Sequence, residues 1–151
     1  MSESKIIKNN ITIDAPAADV WDALVNPVKT KQYMFGCEPI TDWLPGSSLL
    51  WKGVFDGKEL IAVKGEIKEI DPGKYLAYTC IDPNNASIPD IPENYLTVTY
   101  DLKEQNGQTI LAVTQGDYAK VAEGQQRYEH TMQEGGWDSI LQQIKKLVES
   151  A

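Results

Sequence analysis

Short turn signals that separate β-rich segments constrain the fold of this chain more than any other feature. Asp56-Gly57 and Asn106-Gly107 are dipeptides whose residues tolerate the positive φ that two-residue hairpin turns require. Further turns are indicated at Pro45-Gly46 and Asp71-Pro72-Gly73, and no helical period occurs between them. The pattern from Glu38 to Tyr118 therefore predicts an antiparallel meander. Its strand segments read SLLWKGVF, LIAVKGEIKEI, KYLAYTCI, YLTVTYDL and TILAVTQG.

The segment DPNNASIPDIPE interrupts this meander and is predicted to be a long loop, because its three prolines bar it from the middle of a sheet. The Asn106-Gly107 turn also predicts a register for the last hairpin. Residues that face each other across a strand pair share one side of the sheet, and here that side is apolar except for Gln115. The predicted pairs are Leu102 with Leu111, Tyr100 with Val113, and Val98 with Gln115.

The Asp56-Gly57 hairpin gives a less consistent pattern. A simple register places Trp51 and Phe55 on one face, with Leu60 and Ala62, and places Ile61, Val63 and Ile67 on the other. The first face would then continue into the charged residues Lys64, Glu66 and Lys68. Either a β-bulge or cover on both faces of the sheet would resolve this conflict.

Helical patterns flank the meander. At the start of the chain, KIIKNNITID predicts a first strand, and APAADVWDALVNP predicts a short helix with Pro16 in its first position. The buried stripe of that helix would contain Val20, Trp21, Leu24 and Val25. Asn26 and Pro27 then predict the N-cap and first turn of a second short helix that reaches about Met34.

The segment from Gln126 to Ser150 is predicted to form a closing helix of mixed character. Its second half has an apolar stripe that should pack on the sheet, formed by Trp137, Ile140, Leu141, Ile144, Leu147 and Val148. The same stripe in the first half is polar and should face solvent or a cavity: Gln126, His130, Gln133 and Glu134. Gly135 and Gly136 lie between the halves and indicate close approach to a neighbouring backbone, or a bend.

These segments in this order resemble bacterial members of the activator of heat-shock-protein-90 ATPase homologue family. The resemblance runs from about Lys5 to Glu149 and is carried by ITIDAPAADVWDALVNP, DWLPGSSLLWKGVFDGK, KGEIKEIDPGKYLAYT, PENYLTVTYDL, TILAVTQG and GGWDSILQQIKKLVE. It implies the START-like (SRPBCC, birch-pollen-allergen-like) helix-grip fold, an α+β arrangement in which a curved antiparallel sheet wraps around a long C-terminal helix. It also implies a cavity between sheet and helix, which in the wider superfamily holds lipids, hormones, polyketides or other apolar molecules.

Composition limits the function classes. The length of 151 residues predicts one domain, residues 1–151, and the net charge of −8 argues against nucleic acid and anionic membrane surfaces as partners. No apolar run is long enough for membrane insertion, and the first ten residues contain no signal-peptide segment, so a cytoplasmic location is expected. His130 is the single histidine, and Cys37 and Cys80 have no zinc-ligand spacing. No metal site, cofactor or catalytic residue is therefore assigned.

The resemblance, together with the inward-facing aromatic residues, implies a small apolar or amphipathic, lipid-like ligand that is bound between the sheet and the last helix without an assigned reaction. The candidate ligand-binding residues are mostly aromatic, with two polar side chains that could orient a ligand: Tyr33, Trp51, Phe55, Tyr78, Tyr100, Gln115, His130 and Trp137. For each aromatic residue, ordinary core packing is the alternative. For His130, the alternative is an exposed pair with Glu134, one helical turn away.

Two other functions remain open. A protein-interaction or chaperone-ATPase-activator-like module would expose an apolar patch outside the cavity. A cyclase- or hydrolase-like enzyme would instead gather polar groups with shifted pKa values in the cavity, with His130 as the candidate base.

Overall fold

A computed structural model of the chain describes residues 5–150, which form a seven-stranded antiparallel sheet and four α-helices. Residues 1–4 and 151 of the predicted domain lie outside the described residues. The strands are β1 (Ile7–Ile13), β2 (Glu38–Ile40), β3 (Ser48–Phe55), β4 (Lys58–Asp71), β5 (Tyr75–Cys80), β6 (Leu96–Gln105) and β7 (Gln108–Gly116). The helices are α1 (Ala17–Val25), α2 (Pro27–Tyr33), α3 (Gly124–Gln133) and α4 (Asp138–Glu149), and the sheet order is β1-β7-β6-β5-β4-β3-β2.

The two-residue hairpins form as predicted. Phe55 pairs with Lys58 and Gln105 pairs with Gln108, so Asp56-Gly57 and Asn106-Gly107 are the loops, and all four loop residues have positive φ. The last hairpin has the predicted register, with Leu102 opposite Leu111, Tyr100 opposite Val113 and Val98 opposite Gln115. Gln115 is half-buried and the other five residues are buried, so this face of the sheet is the core face.

Two bulges in β4 resolve the conflict in the Asp56-Gly57 hairpin. Ala62 has no partner in β3, because the register steps from Val63 opposite Trp51 to Ile61 opposite Lys52. The simple register was therefore wrong: Val63, not Ala62, faces Trp51. Lys68 is bypassed in the same way on the β5 side. Each extra residue bends a strand, and two of them in 14 residues help to curve the sheet.

The first two helices follow the expected pattern with one shift. Val20 and Leu24 of α1 are buried, and Trp21 and Val25 pack against the core. Pro16 is the N-cap of α1 rather than its first helical residue. Asn26 caps α2 as predicted, because its side-chain oxygen accepts a hydrogen bond from the backbone N–H of Val28 at 3.0 Å.

The predicted single closing helix is two helices. α3 and α4 are separated by residues 134–137, where Gly135 (φ +87°) and Gly136 (φ +62°) adopt left-handed conformations that side chains disfavour. The Asn9 side chain of β1 holds this break: it accepts from the Trp137 backbone N–H at 3.0 Å and donates to the Gly135 carbonyl at 3.3 Å. The two glycines therefore allow both a bend between the helices and the close approach of β1 to that bend.

The apolar stripe of α4 packs as predicted. Leu141, Ile144 and Val148 are buried against β1, α1 and α2. The polar stripe of α3 faces solvent, since Gln126, His130, Gln133 and Glu134 are all exposed. In the closing segment it is therefore α4, rather than α3, that packs an apolar stripe against the core.

Candidate functional site: an apolar cavity

A cavity of about 160 Å³ lies between the inner face of the sheet and the break before α4. Strands β3 to β7 form one side of it, the loop after α2 forms its rim, and Trp137 closes it towards α4. The lining is almost entirely apolar. It comprises Met34, Phe35, Cys37, Trp51, Ala62, Val63, Tyr78, Cys80, Val98, Gln115 and Trp137.

Aromatic rings form a continuous row across and behind the cavity wall. The ring of Tyr78 lies 6.2 Å from that of Trp51 and 5.6 Å from that of Tyr100, centre to centre. Tyr100 in turn packs edge-on against Trp137 at 5.9 Å. Tilted and edge-on arrangements at these distances are the ones that aromatic pairs prefer.

Hydrogen bonds hold the polar groups of the wall. The indole N–H of Trp137 donates to the Gln115 side-chain oxygen at 2.8 Å. The hydroxyls of Tyr78 and Tyr100 lie 2.8 Å apart and share a hydrogen bond. Burial raises the pKa of Tyr78 well above the usual tyrosine range, and it raises the pKa of Tyr100 as well. Both hydroxyls are therefore neutral at physiological pH.

Both cysteines line the cavity as free, buried thiols. Burial raises the pKa of Cys80 to about 12, although the charge of Arg127 and the Gln115 amide act in the opposite direction. Burial also raises the pKa of Cys37. A thiol is nucleophilic only as a thiolate, so neither cysteine is activated for covalent chemistry at neutral pH.

The cavity gathers four of the eight candidate residues: Trp51, Tyr78, Gln115 and Trp137. Tyr100 is fully buried behind them. Phe55 is half-buried near the end of β3 and packs against the core outside the lining.

Tyr33 has a structural environment. Pro27 lacks the N–H that would normally bond to the carbonyl of Ala23, four residues earlier, and the Tyr33 hydroxyl donates to that carbonyl at 2.7 Å. The Tyr33 hydroxyl is therefore satisfied by the backbone, and Tyr33 is not among the residues that line the cavity.

His130 lies outside the cavity. Its side chain is 72% exposed, and its Nε2 lies 3.0 Å from a carboxylate oxygen of Glu134, one helical turn away. The predicted role of His130 in orienting a ligand is therefore not supported by its position, and the alternative of an exposed pair matches the geometry.

Several lining residues escaped prediction. Cys80 follows Tyr78 by two residues in β5, and residues at that spacing share a sheet face, so alternation could have identified it. Met34, Phe35 and Cys37 come from a stretch after α2 that has no periodic pattern. Their approach to the sheet depends on tertiary packing, which spacing does not encode.

The part of the chain that the structure describes has no candidate metal cluster and no candidate membrane-spanning helix. Residues 5–150 contain no group of three or more histidine, cysteine, aspartate or glutamate side chains placed to hold a metal ion. No helix within the same residues is long and apolar enough to cross a membrane.

Comparison with known proteins identifies the family. The family model described as activator of Hsp90 ATPase homolog 1-like protein matches residues 14–149, and the chain therefore belongs to that family. The solution structure of ChR145 from Cytophaga hutchinsonii is 34% identical, with a TM-score of 0.75 over 99% of this chain and 97% of that one. No curated protein matches the sequence.

More distant structures share the fold alone. The Aha1 dimer from Colwellia psychrerythraea is 16% identical, with a TM-score of 0.67 over 95% of this chain and 96% of that one. DynU16, described as a putative protein in the dynemicin biosynthetic locus, is also 16% identical, with a TM-score of 0.71 over 97% of this chain and 48% of that one. These likenesses agree with the helix-grip fold that the sequence predicted.

Proposed function

We propose that the chain binds a small apolar molecule in the cavity between its sheet and α4. The observation that carries this proposal is the apolar void of about 160 Å³ itself, walled by Trp51, Tyr78 and Trp137. Protein interiors normally pack to the density of organic crystals, so an unfilled apolar space of this size that opens at its rim is available to a ligand. An engineered protein cavity of about 150 Å³ that is lined by Leu, Ile and Phe binds benzene.

The size of the cavity narrows the ligand class. A void of about 160 Å³ holds one six-membered ring with a small substituent, or a short branched chain. The lipid-like ligands expected from the resemblance are larger than this, and only one end of such a molecule would fit. The proposed ligand is therefore compact, with its ring enclosed and any longer substituent directed past Phe35 at the rim.

The enzyme alternative has less support. None of the residues that line the cavity is a carboxylate, histidine, lysine or arginine. The lining groups with shifted pKa values, Tyr78, Cys37 and Cys80, are all held protonated, so they cannot serve as bases at neutral pH. Binding without chemistry is the function that this lining supports best.

Titration with ethylbenzene tests the proposal. We expect saturable shifts of the Trp137 and Trp51 indole N–H signals in NMR spectra, together with a rise in melting temperature, because a ligand bound only by the folded state stabilises it. Ala62→Leu should fill part of the cavity and abolish these shifts. Ala112→Leu is a matched control, because Ala112 lies opposite Asp101 on the other face of the sheet.

An interaction module makes the opposite prediction. If ethylbenzene and related single-ring compounds leave the indole signals and the melting temperature unchanged, the cavity is not a binding site. Mass spectrometry of the intact protein from its own host would identify a co-purifying ligand where one is present.

A further inference from the structure

The polar groups at the cavity wall are unequal in number: hydrogen-bond donors exceed acceptors. Gln115 carries one acceptor oxygen and an NH₂ group with two donors. Its oxygen must face Trp137, because an indole N–H can only donate, and this contact fixes the orientation of the amide. Within residues 5–150, the Gln115 side chain also contacts the Cys80 thiol. Neutral sulfur is a weak hydrogen-bond acceptor, so the NH₂ group can still donate to a stronger one.

The tyrosine pair adds a second free donor. Two hydroxyls carry two protons, and the contact between Tyr78 and Tyr100 uses one of them. Within the described part of the chain, no acceptor takes the other proton. Tyr78 lines the cavity, whereas Tyr100 is enclosed behind it. Either hydroxyl can donate in this contact, and the arrangement in which Tyr100 donates to the Tyr78 oxygen leaves the Tyr78 proton available to a ligand.

Charge restricts the ligand further. An anion in this cavity would lose its hydration without meeting a cationic side chain, and a cation would find neither a carboxylate nor a free amide oxygen. The chain as a whole carries a net charge of −8, which also disfavours anions. An uncharged ligand with an acceptor such as a ketone or aldehyde oxygen would instead satisfy both available donors.

We infer that the cavity selects compact, uncharged ring compounds bearing a hydrogen-bond acceptor, recognised by the NH₂ group of Gln115 and the hydroxyl of Tyr78. This inference rests on the proposed function, since it names the ligand class of the same cavity. A wide apolar wall with two available donors provides the specificity, because an acceptor on the ligand can form hydrogen bonds there that a purely apolar ligand cannot.

A matched pair of probes isolates the acceptor. Ethylbenzene and acetophenone have nearly the same shape, and they differ in a CH₂ group against a carbonyl. The quantity measured is the ratio of their dissociation constants, from NMR titrations that follow the Trp137 indole N–H. Comparing this ratio between variants cancels the difference in hydrophobicity of the two probes. Benzoate serves as the anionic probe and should bind at least tenfold more weakly than acetophenone.

Two substitutions remove the donors one at a time. Tyr78→Phe removes the hydroxyl that we assign to the ligand, and it should lower the selectivity for acetophenone over ethylbenzene about fivefold to tenfold. Gln115→Glu, measured at pH 8, keeps an oxygen for Trp137 but replaces the NH₂ donor by a carboxylate oxygen. The affinity for acetophenone should therefore fall at least tenfold. Tyr33→Phe is the matched control, because the Tyr33 hydroxyl bonds to the Ala23 carbonyl; its ratio should stay within twofold of the wild type.

The outcomes separate this inference from the proposed function. Ethylbenzene binding in every variant reports an intact fold and an intact cavity. If ethylbenzene binds but neither Tyr78→Phe nor Gln115→Glu changes the ratio, or if benzoate binds as tightly as acetophenone, the inference is overturned while the proposed function stands. A fall in the selectivity for acetophenone over ethylbenzene in either variant supports the inference, and it shows which side chain donates to the ligand. If neither probe binds the wild-type protein, the proposed function itself fails.

Discussion

Replacing Gly136 with alanine should destabilise the protein by more than its backbone conformation alone explains. An alanine at φ +62° carries roughly 1–2 kcal/mol of strain. Its Cβ would also lie 2.5 Å from the Asn9 side-chain oxygen and 2.8 Å from the Cγ2 atom of Ile7. Moving Asn9 away would break its contacts with Trp137 and Gly135, each worth about 0.5–1.5 kcal/mol. The total expected loss is about 2–5 kcal/mol.

Gly135→Ala is the matched control for this prediction. Gly135 has φ +87°, a less favourable angle for alanine than that of Gly136, yet a Cβ at this position meets nothing closer than 3.9 Å. Backbone strain alone therefore ranks Gly135→Ala as the more damaging change, whereas the contacts rank Gly136→Ala as more damaging by about 2 kcal/mol. Urea denaturation followed by circular dichroism measures both free energies of unfolding.

A double substitution tests the assigned cause. In an Asn9→Ala background the 2.5 Å contact no longer exists, so Gly136→Ala should be less costly there than in the wild type. If Gly136→Ala destabilises no more than Gly135→Ala, or if the Asn9 background leaves its cost unchanged, the close approach of β1 to the helix break is not what requires glycine.

Three further predictions concern the buried thiol of Cys80, the buried hydroxyl of Tyr33 and the exposed His130. Burial holds the Cys80 pKa at about 12 against 9.0 for a free thiol, so the unfolded state binds fewer protons between these values and stability should fall as pH rises. Cys80→Ala should make that alkaline loss shallower by up to about 1.4 kcal/mol per pH unit in denaturation curves from pH 9 upward; an equal slope would contradict the burial of the thiol. Tyr33→Phe should cost about 1–3 kcal/mol of unfolding free energy, because the Ala23 carbonyl then lacks a donor; a change near zero would show that water replaces the hydroxyl. His130→Ala should leave both the urea midpoint and the ethylbenzene affinity unchanged, since the side chain is exposed; a weaker affinity would show that His130 contributes to ligand binding.

Local chemistry explains why much of the fold was predictable. The two-residue turn at Asn106-Gly107 requires the positive φ that both residues tolerate, and its length fixes the register that brings Tyr100 opposite Val113. The apolar period of α4 likewise identifies its buried face. The break between α3 and α4 was less certain, because paired glycines are compatible with a bend, a close approach or both. The Asn9 contacts that decide between them span 126 to 128 residues of sequence.

The cavity was only partly predictable. Inward-facing residues of the strands, such as Tyr78 and Gln115, follow from alternation and register. The bulge at Ala62 does not, because it depends on how far β4 must bend to follow its neighbours. Phe35 escaped for a different reason: it is 75% exposed, in a left-handed conformation, and reaches the rim only through the turn after α2.

Trp137 links the helix break to the cavity, so damage to one should reach the other. Its backbone N–H donates to Asn9 and its ring N–H donates to Gln115, so Trp137 is held both at its backbone and at its ring. A wall fixed before binding loses little freedom when a ligand enters, and affinity therefore depends on that fixation. Gly136→Ala disturbs Asn9, whereas Gly135→Ala does not, so ethylbenzene should bind more weakly to the former even at temperatures where both variants are fully folded. Equal affinities in NMR titrations of the two variants would mean that the Asn9 contact does not contribute to positioning the indole of Trp137.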